Sequence, residues 1–206
     1  VPLNVPYGLS NEVVVSLFED TDKTLWIGTD GGGINSYNPN VRKFTHHLGT
    51  YSNKVVSITG YSQNELLVSL FGKGLYLFNK KTSQLTPFLL VDPVINAEEC
   101  LAGSSVYLDQ CMQDKILILG KDIYIYDKLS KTFSTTDNVD IYYRKLLQKI
   151  TTGDSIAYLL GQYHILKLDC NTGKSEVVYD NHGSLNLVSA AYNGKDIIWI
   201  GTYEGL

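Results

Sequence analysis

The side chains able to do chemistry are few, and their spacing suits none of the common reactions. His46 and His47 are adjacent, so on an extended strand they point to opposite faces and cannot easily share one metal. His164 and His182 fall in expected turns. Asp20-Thr21-Asp22 resembles the start of a calcium loop but lacks the spaced oxygen ligands and the late bidentate glutamate, so it reads as a turn. Gly31-Gly32-Gly33 lacks the following helix and the Gly-Lys-Ser/Thr ending of a phosphate loop; a turn with positive φ between two strands accounts for it. Cys100, Cys111 and Cys170 are odd in number, widely spaced and free of any C-x-x-C pair. They suggest neither a disulfide framework nor a zinc site, with a Cys100–Cys111 bridge the one alternative left open. Trp26 and Trp199 could be sugar-stacking platforms, yet each lies inside an apolar strand, where core packing is expected. No Ser/His/Asp or paired-carboxylate set assembles, so no catalytic residue, metal or cofactor is assigned and a non-catalytic segment is expected.

The composition narrows the remaining classes. Of 206 residues 44% are hydrophobic, enough for a real core, while only 18% are charged and the net charge is −4. Lysines and arginines are scattered, which argues against nucleic acid or anionic lipid as a partner. Fifteen tyrosines against one methionine favour half-buried strands over helices. No apolar run reaches the ~18–20 residues of a membrane span, and the N-terminus lacks the layout of a signal peptide.

The elements that must position these residues repeat. Leu25-Trp26-Ile27-Gly28-Thr29, the turn Asp30-Gly31-Gly32-Gly33 and Ile34-Asn35-Ser36-Tyr37-Asn38 make an apolar strand, a glycine turn and an alternating strand. The same grammar returns at Leu66 to Asn79, at Ile116 to Asp127 and at Ile156 to Asp169, with the alternating strands starting at Leu75, Ile123 and Ile165. A fifth copy begins at Trp199-Ile200-Gly201-Thr202, identical to Trp26-Ile27-Gly28-Thr29 and 173 positions later, and stops at Gly205-Leu206, which suggests a fragment of something longer. Each unit adds a strand before (13–19, 54–59, 106–112, 145–151, 187–192), and the first four add one after (43–47, 85–89, 132–135, 176–179). The stretch 140–150 also has residues at helical spacing, Tyr142, Leu146 and Ile150, and is kept as the approach to a strand. Four short antiparallel strands every ~40 residues predict an all-β β-propeller, because one such sheet cannot bury both faces until neighbours stack on it. About four and a half blades are expected, at 9–50, 51–92, 104–136, 142–182 and 184–206, with 1–7 available as an outer strand. The turns between second and third strands open near the axis of a propeller, so Asp30, Phe71, Lys73, Lys121, Gln162, Tyr163, His164, Tyr203 and Glu204 are the candidate ligand residues. Their aromatic and polar mixture suits a carbohydrate or a peptide.

The run Leu9-Ser10-Asn11, Val14, Leu17, Glu19-Asp20, Leu25 to Ile34 and Tyr37-Asn38 closely resembles the two-component regulator propeller repeat. The Trp199 unit is similar, and the middle units keep only the hydrophobic pattern and the turns. Lys23 stands where the family usually has glycine; a type I turn would accept lysine there without a positive φ. The resemblance implies part of a seven-bladed propeller in the periplasmic sensor region of an inner-membrane hybrid histidine kinase. It further implies a glycan or oligosaccharide ligand, further sensor domains in the parent chain, a homodimeric parent and an output to transcription. A protein-interaction or dimerisation scaffold is the alternative reading, and a propeller lyase or glycosidase a weaker one, since the turns do not repeat His, Glu or Asp.

Overall fold

Alternation of apolar and polar residues over five or six positions makes a strand with one face for the core, and eighteen such strands form. The computed structural model describes residues 8–47, 50, 53–88, 106–120, 123–136, 146–151, 155–184, 186–193 and 197–205. The first sheet is β1 (Val14–Glu19), β2 (Leu25–Thr29), β3 (Ile34–Asn38) and β4 (Lys43–His47). The second is β5 (Val55–Gly60), β6 (Glu65–Leu70), β7 (Gly74–Asn79) and β8 (Leu85–Pro87). The third is β9 (Tyr107–Met112), β10 (Lys115–Leu119), β11 (Ile123–Asp127) and β12 (Thr132–Thr135). The fourth is β13 (Leu146–Thr151), β14 (Ile156–Gly161), β15 (His164–Asp169) and β16 (Ser175–Asp180), and β17 (Leu187–Tyr192) with β18 (Ile198–Thr202) forms a two-stranded fifth. Strands within each sheet are neighbours in chain order. The ambiguous segment is a strand from Leu146, while 1–7, 137–145, Leu89 and Cys100 lie outside the described residues.

The register repeats as well as the strands. Val14 pairs with Thr29, Val55 with Leu70, Leu146 with Gly161 and Leu187 with Thr202, and in each case an irregularity follows before the next pair. A bulge at that point bends the first strand and strengthens its twist, so each blade begins with the same geometry.

The chain divides into two compact units, Val1–Leu108 and Asp109–Leu206. In the first, Trp26 and Ile34 of one blade pack with Val55, Ile58, Leu66 and Phe78 of the next. In the second, Leu117, Leu119 and Ile125 pack with Ala157, Leu159 and Leu166. Leu66, Leu67 and Val68 are all fully buried in succession, which a strand achieves only when both of its faces are covered.

The turn between third and fourth strands has one chemistry throughout. Asn38, Asn79, Asp127 and Asp169 each accept the backbone N–H two residues on through Oδ1, at 2.8–3.0 Å. Four residues after each Asx, the chain enters the left-handed region, at Arg42 (φ 50°), Ser83 (58°), Lys131 (59°) and Gly173 (71°). The residue directly after the Asx faces the preceding blade. At Lys80 it is an ammonium bound to Asp20 Oδ2 at 3.1 Å; at Cys170 it is a disulfide to Cys111. The backbone N–H groups of Lys80 and Cys170 donate to Asn64 and Ser155 in their own blades, which marks the two positions as equivalent.

Two expectations from the sequence need correction. Lys23 N–H does close a type I turn on the Asp20 carbonyl at 3.0 Å, but Lys23 itself then adopts φ 62°, because one left-handed residue is needed to rejoin the strand twist. The cysteines do form a disulfide, Cys111–Cys170, with Cα atoms 6.2 Å apart across 59 residues; both are buried in the second unit's core. Equal sequence spacing carries no information about which strand and which turn meet across a blade junction.

Lys23→Gly and Lys131→Gly, each removing a left-handed side-chain penalty, should raise the thermal midpoint by roughly 2–4 °C, read by calorimetry. Cys170→Ser, or prior reduction, should lower unfolding free energy by up to about 4 kcal/mol on loop-closure entropy, measured by denaturant titration with and without reductant.

Candidate ligand-binding turns

In the first unit the turns of two blades converge on the residues that open β5. Asp30, next after β2, forms a bridge with Lys54 and an ion pair from Lys54 Nζ to Oδ2 at 3.0 Å, both side chains about 40% exposed. The Phe71 N–H donates to the Lys54 carbonyl at 3.0 Å, and Lys54 Nζ lies 5.5 Å from the centroid of the half-exposed Phe71 ring. Lys73 Nζ donates to Asn53 Oδ1 at 2.6 Å, while Asn53 Nδ2 donates to the Thr50 carbonyl and its own carbonyl accepts from Gly33. Gly31 and Gly33 have φ of 89° and 74°, as the triple glycine required. A side chain at Gly33 would strike the Thr50 backbone, so the turn also needs glycine for close approach. The result is an exposed aromatic face beside two ammonium groups, a carboxylate and an amide. That set can stack on a ring and hydrogen-bond around it.

The second unit repeats the geometry with neutral groups. Gln162 stands where Asp30 does and Asn186 where Lys54 does: Gln162 Nε2 donates to Asn186 Oδ1 at 2.6 Å and to Tyr163 Oη at 2.8 Å. The Leu187 N–H donates to the Gln162 carbonyl at 2.8 Å. Tyr203 is 82% exposed, and Glu204 beside it is also exposed. Lys121 lies outside the described residues.

His164 is not a turn residue: it opens β15, is 3% exposed, and its ring lies against Gly161 where any Cβ would collide. Burial lowers its pKa to about 4, with the Asp180 charge opposing. His47 is likewise buried, held between the Ser36 and Ser83 hydroxyls at 3.0 and 2.7 Å and packed 5.2 Å from both Trp26 and Phe78. Burial and the neighbouring His46 push its pKa to about 4. His46, on the other face, reaches the Gly8 carbonyl.

Sequence reasoning missed Asn53, Lys54 and Asn186, which sit just before a first strand; that shared position was the available signal. It also treated Asp20 as a plain turn residue. Asp20 Oδ1 does accept the Asp22 and Thr24 N–H groups, but Oδ2 accepts Trp26 Nε1 at 2.8 Å and Lys80 Nζ, in a position only 8% exposed. Burial raises its pKa, yet the hydrogen bonds from Trp26 and Lys80 and the Lys80 charge outweigh it, holding the carboxyl below its ordinary value. Trp26 is core, 5% exposed, whereas Trp199 at the equivalent position is 57% exposed, contrary to the expected packing.

These antiparallel four-stranded blades define a β-propeller. Residues 8–31 match the family model described as two component regulator propeller, so the chain carries a repeat of that family. No curated protein matches the sequence. Among solved structures, it is similar to the extracellular domain of a B. thetaiotaomicron protein described as a hybrid two component system, BT4673. The TM-score is 0.70 at 19% identity, over 94% of this chain and 28% of that one. A second such extracellular domain, from BT3049, gives 0.68 at 18% identity, over 100% and 29%. The computationally designed Ika8 protein gives 0.63 at 14%, over 97% and 57%. The chain thus spans under a third of the length of the two natural structures.

His47 and His164 fold as neutral bases with pKa near 4, against about 6.5 unfolded, so the unfolded chain binds more protons between those values. Their contribution is complete above pH 6.5 and is lost as pH falls toward 4, by up to about 3 kcal/mol each. Unfolding titrations at pH 7.5 and 4.5 should show this loss, and His47→Gln should flatten the dependence.

Proposed function

We propose that this chain is a ligand-sensing segment of the extracytoplasmic region of a two-component sensor, and that its ligand is an oligosaccharide. The match of residues 8–31 to the two component regulator propeller family carries the reading. The likeness of fold to extracellular domains of hybrid two component systems supports it. So does the Cys111–Cys170 disulfide, a bond that persists in oxidising compartments such as the periplasm. The parent is a membrane-anchored hybrid histidine kinase, working as a dimer and signalling to transcription.

The first-unit turns are where the ligand contacts this segment. Phe71 offers the stacking face; Lys54, Lys73, Asp30 and Asn53 surround it with donors and acceptors. Asp30 also links two blades, so its substitution costs stability as well as binding, which makes Phe71 the cleaner probe. No group here is arranged to break a glycosidic bond, and the segment's part in signalling is recognition.

A thermal-shift screen of the chain against oligosaccharides tests this. A glycan at a hundredfold its dissociation constant adds ~2.7 kcal/mol and should raise the midpoint by roughly 5 °C or more. Phe71→Ala should keep the unliganded midpoint nearly unchanged and abolish the shift. A folded chain with no shift for any glycan, in this segment or in the whole extracytoplasmic region, would favour a protein-binding scaffold.

A further inference from the structure

One side of each blade carries a repeated set of residues that the next blade covers. On the first blade these are Ser16, Trp26 and Gly28. The Ser16 hydroxyl donates to the Val55 carbonyl of the second blade at 3.3 Å. The Trp26 ring meets Phe78 of β7 edge-on at 5.6 Å. A Cβ placed on Gly28 would come within 2.7 Å of Val55 Cγ1, so the glycine is the socket for that valine. The second blade uses the same serine position: Ser57 donates to the Leu108 carbonyl at 3.1 Å and accepts from the Leu108 N–H at 3.0 Å.

The fifth blade carries the whole set, as Ser189, Trp199 and Gly201, in the same register. Ala191 stands where Phe18 does, directly opposite Trp199. Here the three atoms nearest a Cβ on Gly201 all belong to Ser189 of its own blade, and Trp199 is 57% exposed against 5% for Trp26. Asn193 replaces Asp20: its Oδ1 accepts the Ile197 N–H at 3.1 Å, as Asp20 accepts that of Thr24, but it brings no charge.

We infer that Ser189, Trp199 and Gly201 form the docking face for one further propeller blade of the same, longer polypeptide. That blade lays an aromatic ring from its third strand against Trp199 and a β-branched side chain over Gly201, and it needs no lysine where Lys80 stands. The inference rests on reading the chain as part of a larger propeller, which the two natural structures, over three times its length, also favour. A large exposed aromatic beside a glycine socket and a serine donor is a complete half of a junction already present in this molecule.

The chain supplies its own test. Trp26 and Trp199 are its two tryptophans, so subtracting the spectrum of Trp199→Phe isolates Trp199. Residues 35–88 of the same sequence are then appended after Leu206, continuing the match of Gly205-Leu206 to Gly33-Ile34. In the 206-residue chain, iodide should quench Trp199 freely. In the extended chain the quenching constant should fall roughly tenfold, following the drop from 57% to 5% exposure, and Phe78→Ala in the appended copy should restore part of it. A folded extended chain with Trp199 still accessible overturns the inference, and so does an extended chain less stable than the original, since a correct cover must stabilise. Concentration-dependent protection of Trp199 in the original chain, with dimers in sedimentation, would assign the face to a second copy instead. No ligand enters the experiment, so a failed glycan screen and a failure here are separate results.

Discussion

A four-stranded antiparallel sheet with side chains alternating between its faces has two surfaces to cover and only itself to cover them with. Every stable feature of this molecule follows from that constraint. The middle strands read as unbroken apolar runs, such as Leu66-Leu67-Val68, because blades press on them from both sides. Where the structure offers only one neighbour, as at the first strand of the first blade, Val13, Val14 and Leu17 stay exposed.

Junctions between blades cannot be wholly apolar, because each blade must also meet its neighbour in one register. The first unit solves this with a buried carboxylate. Asp20 is desolvated, which on its own would be costly, and is compensated by the Trp26 indole and the Lys80 ammonium. Trp26 is thereby fixed in orientation against His47 and Phe78. The equivalent turn position in the second unit uses a covalent bond, through Cys170, and leaves its core free of charge. A buried ion pair demands accurate geometry of two partners, whereas a disulfide demands an oxidising environment during folding. Both give a junction one register.

The same economy shapes the exposed turns. Asp30 with Lys54, and Gln162 with Asn186, tie one blade's turn to the next blade's first strand, so these polar residues are structural before they are functional. The exposed aromatic rings beside them, Phe71 and Tyr203, carry no such duty. Recognition at a propeller rim therefore falls to residues the junction does not use, while the paired charges hold the rim in shape and tune its potential.

Much of this was legible in the sequence because its causes are local. Strand alternation, the Asx turns after Asn38, Asn79, Asp127 and Asp169, and the positive φ of Gly31 and Gly33 all depend on neighbouring residues. Repetition of those local signals every ~40 residues was enough to name the architecture. What depended on distant residues was not legible. The left-handed Lys23, the burial of Asp20 and His164, the exposure of Trp199 and the Cys111–Cys170 bond escaped a reading along the chain. The sequence determined the blades, their turns and their number of strands, because a strand and a hairpin are specified by residues a few positions apart. Tertiary structure alone decided which face of a blade is covered, and so which of two identical Trp-Ile-Gly-Thr segments is core. Its partners come from about 60 residues away, as for Asp20 with Lys80, and no local pattern records their arrival.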